Sequence, residues 1–303
     1  MNNILVLLTM KHSYKAALDL VSLGYKVSII TLDPKHTQVK KISGYIDLRY
    51  QTKSIFENIF FENDFRLKSV SNKLKNYLDE KKPKLAFCLS WHWLIDRKFL
   101  NKFKDGVFGW HGSMFRLPNG LGRSPMNWSI RLGGKQIFHT CFKYTNQVDR
   151  GPIFFEKKIK IEPFDHIDDL LKKSTNIIVK EIKYIKKKDK ISNLKFKHVV
   201  VKNPLKFERL NDESGEILFD GKNLTEMSDL IRSCSDPFPC AFIKIKNKKK
   251  IRINRVIKKK VKGCLIIKKG KEEIYCLPKK KVKYNSSDLI IFNKEYKIMQ
   301  KKK

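Results

Sequence analysis

Residues 108–125 read FGWHGSMFRLPNGLGRSP, and residues 144–153 read YTNQVDRGPI. The apolar pair before Gly109 predicts the end of a buried strand, and the glycines and prolines after His111 predict a loop. Asp149 lies in a predicted turn, before an alternating segment that predicts another strand. An imidazole changes charge near neutral pH and a carboxylate can orient it, so this pair has the residue types of a proton-transfer site. Taken alone, such residues are more often a loop histidine and a turn aspartate without chemistry.

The residues before this stretch predict the scaffold that carries it. Residues 3–9 and 26–32 predict strands, and residues 13–23 between them predict a helix. This order forms a right-handed βαβ unit and predicts a parallel sheet with helices on its faces. The first turn lacks the GxGxxG pattern, so the sequence does not predict a dinucleotide site.

A third predicted strand, residues 84–89, ends at the polar and aromatic loop Ser90–Trp93. In open α/β sheets ligands bind outside the carboxyl ends of the strands, so we expect this loop and the one after His111 to be neighbours. Further predicted elements follow the same pattern of helical or alternating apolar spacing. They are helices at 65–78, 95–103, 126–132 and 167–185, and strands at 138–144 and 153–161.

The texture changes after residue 207 to short strands and turns. The alternating segments there predict a small β-barrel, with strands at 251–257, 263–268, 273–277 and 289–292. The lysine-rich stretch before it has few apolar residues and predicts a connection between domains. We therefore expect a catalytic domain over residues 1–190, a linker over 191–204 and a C-terminal β domain over 205–303.

Composition bounds the class of protein. The 303 residues are 41% hydrophobic, which indicates a globular chain, and no apolar run reaches the roughly 18 residues of a membrane span. The six cysteines form no CxxC pair and have no histidine at zinc spacing, so we expect reduced thiols, no metal and a cytoplasmic location.

The net charge of +36 comes from 66 Lys and Arg against 30 acidic residues. Such a surface attracts nucleic acid through non-specific phosphate contacts. The lysines, however, are spread along the chain and far outnumber the arginines that make bidentate phosphate contacts. A solvating surface and a nucleic-acid face both remain open.

Several separate motifs, in one order, resemble the signature of the formyltransferase family that uses 10-formyltetrahydrofolate. They are His111-Gly112-Ser113, Leu117-Pro118, Gly122-Arg123-Ser124-Pro125 with Asn127-Trp128, and Val148-Asp149-Arg150-Gly151-Pro152-Ile153. Two later blocks, residues 207–217 and 230–242, resemble the C-terminal modules of the same family. The resemblance implies an α/β fold: a Rossmann-like, mostly parallel formyltransferase domain followed by a small OB-like β-barrel.

The resemblance also implies roles for individual residues, with 10-formyltetrahydrofolate as co-substrate. His111 and Asp149 correspond to the catalytic acid–base residues. The positions that correspond to the folate pocket are Ser90, Trp91, Trp93 and Val148. The positions that correspond to substrate or oxyanion contacts are Ser113, Asn119, Arg123 and Asn127.

One position departs from the family pattern. Family members carry a catalytic asparagine two residues before the histidine, and this chain has Gly109 there. Losing one donor to a developing oxyanion typically costs on the order of a hundred- to a thousandfold in rate. The sequence leaves four candidates for a replacement donor: Asn119, Asn127, a backbone N–H, and protonated His111.

The resemblance admits two acceptor amines. The tRNA enzymes of the family carry an Arg-Pro-Ala-Gly-Arg-Gly loop after the second strand, and residues 33–41 are basic but lack it. A nucleotide-linked amino sugar is therefore the favoured small-molecule acceptor, with methionyl-tRNA as the alternative. A second alternative is a catalytically weakened binding protein that uses its basic surface. The oligomeric state stays open.

Overall fold

The computed structural model describes residues 3–50, 55–187, 196–244, 250–280 and 296–300. Contacts between residues divide the chain into two compact units. The first comprises Met1–Gly122, Phe138–Ile159 and Leu171–Lys206. The second comprises Arg123–Ile137, Lys160–Leu170 and Phe207–Lys303.

The first unit carries a seven-stranded sheet in the order β3-β2-β1-β4-β5-β7-β8. Neighbouring strands from β3 to β5 run parallel, and β7 pairs antiparallel with β5. The predicted α/β fold with a mostly parallel sheet is confirmed. The strands are β1 (Asn3–Leu7), β2 (Lys26–Leu32), β3 (Asn58–Glu62), β4 (Leu85–Cys88), β5 (Gly106–Ser113), β7 (Gln136–Lys143) and β8 (Ile153–Lys160), with a short β6 (Leu121–Gly122) outside the sheet. The helices on its faces are α1 (Lys11–Ser22), α2 (Asn72–Lys81), α3 (Arg97–Leu100) and α5 (Ile167–Lys186).

Strand β1 shows why the central strands are apolar throughout. Alternate side chains point to opposite faces of a sheet, and both faces of this one are covered. Ile4 and Val6 join the core cluster that includes Leu20 of α1. Leu5 and Leu7 join the opposite cluster with α2 and α3.

The structure corrects two sequence predictions in this unit. Strand β3 lies in a segment, residues 55–64, for which the sequence predicts no element. The helix predicted from residue 65 begins only at Asn72, because Ser71 accepts a hydrogen bond from the Leu74 N–H as its N-cap. Leu67, inside the predicted helix, has φ 57, which a right-handed helix excludes.

The second unit carries a five-stranded antiparallel sheet in the order β10-β11-β13-β12-β14. Three of the strands predicted by alternation are confirmed, and the one predicted at 289–292 lies outside the described residues. The strands are β10 (Ala241–Lys244), β11 (Lys250–Ile257), β12 (Leu265–Lys269), β13 (Glu272–Pro278) and β14 (Tyr296–Gln300), and a short β9 (Lys206–Phe207) precedes them.

Helix α6 (Leu224–Cys234) corrects the expectation of strands and turns alone in this region. Asn223 caps it and Glu226 closes a capping box with the Asn223 backbone. An Asn followed three residues later by Glu is the sequence pattern of a helix start. The sequence therefore contains the pattern that predicts the start of this helix.

The second unit also gathers segments from the middle of the chain, including α4 (Pro125–Arg131). The Asn127 amide donates to the Ser233 carbonyl at 2.7 Å, and Arg131 donates to the Ser214 carbonyl at 2.8 Å. The compact units therefore differ from the predicted domains at residues 123–137 and 160–170.

The predicted linker is only partly described, since residues 188–195 lie outside the described ranges. Phe196 stacks on Phe108 with ring centroids 6.3 Å apart. Lys197 exchanges backbone hydrogen bonds of 2.8 and 2.9 Å with Ile153. Phe196 therefore packs against the core of the first unit, while the linker assignment stays a prediction.

Candidate active site

Alternation along β5 brings the central motif to one face of the sheet. Gly109, His111 and Ser113 share that face because side chains two residues apart in a strand point the same way. Trp110 points to the other face, where its indole N–H donates to Glu181 at 2.8 Å. The His-x-Ser spacing of the motif is thus a strand spacing.

The ring of His111 is held in one orientation. It is buried, and its Nε2 lies 2.9 Å from the carbonyl oxygen of Gly120. A carbonyl only accepts, so Nε2 carries a hydrogen and donates. Nδ1 is left facing Oδ2 of Asp149 at 3.5 Å. The nitrogen that can gain or lose a proton is therefore the one beside the carboxylate.

The loop that supplies this carbonyl requires a glycine. Gly120 has φ +71, and a β-carbon there would lie 2.2 Å from Oγ of Ser113. Ser113 itself accepts a hydrogen bond from the Phe115 N–H at 3.2 Å. The close approach of the two segments fixes the Gly120 carbonyl opposite His111.

A second glycine fixes Asp149. A β-carbon at Gly151 would lie 1.6 Å from the carbonyl oxygen of Lys143, which only a glycine avoids. Asp149 has φ 51, a left-handed conformation that Asp adopts more readily than most residues. Its side chain is 20% exposed whereas that of His111 is 5% exposed, so the pair meets solvent on the carboxylate side.

The loop after β4 is tied to the loop after β1. Oγ of Ser90 accepts from the backbone N–H groups of Thr9 and Met10 at 3.0 and 3.2 Å. The strand order reverses between β1 and β4, which is where ligands bind in doubly wound sheets. His12 lies beside these loops, and burial together with His92 lowers its pKa to about 4. Its buried Nδ1 has no hydrogen-bond partner among the described residues.

An aromatic surface stands beside the same loop. The indole N–H of Trp91 donates to the Phe65 carbonyl at 2.9 Å, and the ring of Trp93 lies 5.2 Å from that of Phe65. Both tryptophans are half-buried against a small apolar cluster that includes Met10. Their faces can exclude water from a planar ligand.

Comparison with known proteins decides the family. Residues 12–181 match the sequence profile of the formyl transferase family. This chain belongs to that family. The resemblance predicted from the motifs is confirmed.

Relatives of this formyl transferase family member fall into two groups. The chain is 30% identical over 236 residues to the bifunctional polymyxin resistance protein ArnA of Wigglesworthia glossinidia brevipalpis, covering 76% of this chain and 34% of that protein. It spans between 30% and 59% of the length of methionyl-tRNA formyltransferases to which it is similar. The matched stretch is therefore well short of these relatives' full lengths.

Solved formyltransferase structures share the fold. A methionyl-tRNA formyltransferase from Clostridium thermocellum has a TM-score of 0.60 at 19% identity, over 92% of this chain and 98% of that chain. A sugar N-formyltransferase from Shewanella sp FDAARGOS_354 has a TM-score of 0.58 at 17% identity, over 86% of this chain and 100% of that chain. These similarities concern the fold alone.

Other residues predicted for the formyl transferase site lie in different settings. Val148 is 48% exposed and immediately precedes Asp149. Oδ1 of Asn119 accepts from the Leu205 N–H at 3.0 Å, and the buried amide of Asn127 donates to a helix carbonyl of the second unit. Arg123 also belongs to the second unit, where burial and then Arg209 lower its pKa. The acceptor oxygen of Asn119 and the donor nitrogen of Asn127 therefore each have a fixed partner.

Sequence reasoning missed two residues that lie against the candidate site. The Gly120 carbonyl is a backbone group, and only the glycine itself hinted at it. Tyr144, at the end of β7, covers Gly109, and no motif marked it. Among the described residues, no group of three or more His, Cys, Asp or Glu side chains is arranged to hold a metal. Within the described part of the chain, no helix is long and apolar enough to cross a membrane.

Proposed function

We propose that this chain transfers a formyl group from 10-formyltetrahydrofolate to a primary amine. The observation that carries the proposal is the His111–Asp149 pair: Nε2 is committed to a carbonyl, and Nδ1 stands 3.5 Å from a carboxylate. This arrangement can take a proton from an attacking amine and stabilise the positive charge that the ring gains. Membership of the formyl transferase family supports the reaction class.

The residues around the strand-order reversal suit a folate. When bound, 10-formyltetrahydrofolate supplies an activated formyl carbon. Trp91 and Trp93 offer aromatic faces, Ser90 fixes the loop that carries them, and Val148 borders Asp149. Nδ1 of His12, which no described residue hydrogen-bonds, suits a polar ligand near the same loops.

Each acid–base residue then has a defined task. Nδ1 of His111 accepts the amine proton, and Nε2 keeps the ring in place. Asp149 faces Nδ1 and orients the imidazolium. Burial of His111 keeps water from competing for its proton.

The proposed acceptor is the amine of a nucleotide-linked sugar. Residues 33–41 lack the glycine-containing arginine loop that the resemblance associates with tRNA substrates. Similarity in fold to a sugar N-formyltransferase is consistent with this choice. The charge of +36 favours methionyl-tRNA as the second candidate, since basic surfaces bind phosphate backbones.

One assay separates these candidates. Release of tetrahydrofolate from 10-formyltetrahydrofolate is followed with a panel of nucleotide-linked amino sugars and with charged initiator tRNA. We expect turnover with one or more sugars and none with the tRNA. Turnover with tRNA alone would replace the proposed acceptor. No turnover with any amine, together with salt-sensitive, sequence-independent tRNA binding, would favour a basic binding protein.

We also propose that residues 205–303 form an OB-like β-barrel domain and that the protein works in the cytoplasm. The antiparallel five-stranded sheet supports the first idea. All six cysteines are buried and free, which supports a reducing compartment.

A further inference from the structure

Tyr144 fills the space that a side chain at residue 109 would occupy. Its backbone N–H donates to the Val107 carbonyl at 2.7 Å, and its ring stacks on Phe142 with centroids 5.2 Å apart. A β-carbon at Gly109 would lie 2.1 Å from Cε1 of that ring and 2.8 Å from its hydroxyl oxygen. The absence of a side chain at Gly109 is thus what allows the ring to lie over β5.

The hydroxyl of Tyr144 lies over Gly109, on the face of β5 that also carries His111. It interacts with the thiol of Cys88, which is the β4 neighbour of Gly109. Burial first, then Cys88 and Asp149, raise the pKa of the Tyr144 phenol well above its usual value. Burial raises the pKa of the Cys88 thiol to about 12, with Asp149 adding to the effect. The phenol therefore keeps its proton, and its present partner is a weak acceptor that a ligand oxygen can replace.

Three other polar side chains near this motif make hydrogen bonds of their own. Asn119 accepts from Leu205, and Asn127 donates to the Ser233 carbonyl. Ser113 accepts from the Phe115 N–H and packs against Gly120. The Tyr144 hydroxyl differs from them in its position, since it lies directly over Gly109, a residue with no side-chain donor.

We infer that the Tyr144 hydroxyl donates the hydrogen bond that stabilises the formyl oxygen during transfer, in place of a side chain at residue 109. The inference rests on the proposed function. In the transfer a bond forms between the acceptor nitrogen and the formyl carbon, and the bond from that carbon to the folate nitrogen breaks. The amine loses one proton and the folate nitrogen gains one. Tyr144 only donates a hydrogen bond to the oxygen on which negative charge grows, and it neither gains nor loses a proton.

A spectroscopic experiment tests this without turnover. The probe is 10-formyl-5,8-dideazafolate with a ¹³C-labelled formyl carbon, and the isotope-edited infrared band of its carbonyl is recorded when bound. A hydrogen bond weakens the C=O bond, so we expect the band to move to higher frequency in Tyr144→Phe than in the parent. The matched control is Tyr77→Phe, which removes another core phenol hydroxyl, one bonded to Ser28. Its band should equal that of the parent.

Kinetics provide the second readout. Tyr144→Phe should lower kcat on the order of a hundred- to a thousandfold, while its affinity for the unformylated dideazafolate stays at the parent value. The unchanged affinity also shows that the variant is folded. Cys88→Ala removes the weak acceptor and leaves the hydroxyl, so it should retain turnover within about tenfold of the parent.

A reciprocal exchange makes the assignment specific. Gly109→Asn alone should lower turnover, because its side chain would collide with the Tyr144 ring. Tyr144→Ala opens that space, and adding Gly109→Asn to it should recover at least tenfold of the lost turnover. It should also return the carbonyl band toward its parent position.

The outcomes separate this inference from the proposed function. If the parent binds neither folate analogue, the proposed function is overturned, and the role of Tyr144 with it. If the parent binds and turns over but Tyr144→Phe leaves the carbonyl band and kcat unchanged, only the role of Tyr144 is overturned. Higher turnover in Gly109→Asn than in the parent would also overturn it.

Discussion

His111 and His166 each lie beside an aspartate, yet their surroundings differ in every respect that matters for chemistry. Nδ1 of His111 is 3.5 Å from Asp149, and Nδ1 of His166 is 3.9 Å from Asp169. In His166 both ring nitrogens are committed to the backbone: Nδ1 donates to the Phe164 carbonyl at 2.9 Å, and Nε2 accepts from the Val256 N–H at 2.9 Å. The His166 ring is therefore neutral and links two backbone segments through hydrogen bonds.

The aspartates differ in the same way. Asp169 accepts from the His166 N–H at 3.0 Å and from Arg255 at 2.8 Å, so its charge is already balanced. Asp149 is held by a glycine-dependent turn and faces Nδ1 of His111, whereas the Gly120 carbonyl holds Nε2. A histidine next to an aspartate therefore indicates proton transfer only where one ring nitrogen stays open to exchange.

The largest expected difference between the two pairs is in turnover. His111→Ala and Asp149→Ala should each lower kcat at least a hundredfold, the usual scale for a positioned acid–base group. His166→Gln should keep kcat within a few-fold, because the ring touches no reacting group. Steady-state kinetics at pH 8 and circular dichroism check this. Near-parent turnover in either of the first two variants would remove that residue from the proposed mechanism.

The next largest effect is expected on the unfolding free energy, from a substitution in the turn that carries Asp149. Gly151→Ala drives a β-carbon into the Lys143 carbonyl and should cost about 3 kcal/mol of unfolding free energy, as severe overpacking does. The matched control is Gly24→Ala, where φ is +84 but no atom lies within 4 Å. That change should cost only about 1 kcal/mol from its backbone angle. Urea unfolding measures both, and equal losses would show that the close approach does not matter.

Other regions show how much of the fold could be predicted from the sequence. The parallel sheet was predictable because strands covered on both faces are apolar throughout, as β1 is. Helix α6 was also predictable from Asn223 and Glu226, but the alternating segments nearby favoured strands and turns alone.

The groups that contact the site residues were harder to predict from the sequence. His111 and Asp149 were singled out through motif resemblance, the structure places them 3.5 Å apart, and their catalytic roles stay a prediction. The Gly120 carbonyl and the Tyr144 ring were not singled out, because both depend on how loops and neighbouring strands meet. The commitment of Asn127 to Ser233 joins residues 106 positions apart in the chain, a distance that no local pattern reveals.

Acidic pH should lower the unfolding free energy through His166, in addition to any effect on turnover. Burial, then Arg255, lowers the pKa of His166 from 6.5 to about 4. The unfolded chain takes up this proton below about pH 6.5 and the folded chain only near pH 4, so stability falls as the pH falls through that window. We expect His166 to account for a loss of about 2 kcal/mol between pH 8 and pH 5. His166→Gln should show a correspondingly smaller loss in urea unfolding, and an identical pH dependence would contradict this.

The smallest expected effect on stability comes from removing the charge of Asp169, the aspartate beside His166. Asp169→Asn keeps the shape of the side chain but leaves Arg255 with Asp168 as its charged partner, where its guanidinium still lies 3.0 Å from the carboxylate. Partly exposed ion pairs contribute little, so the variant should lose about 1 kcal/mol of unfolding free energy. Its turnover should match the parent. The same change at Asp149 should do the reverse, with little loss of stability and at least a hundredfold loss of kcat, because there the charge faces a nitrogen that exchanges its proton. Measuring both variants by urea unfolding and kinetics separates a carboxylate that holds the fold from one that works on a substrate, and a shared profile would erase the distinction.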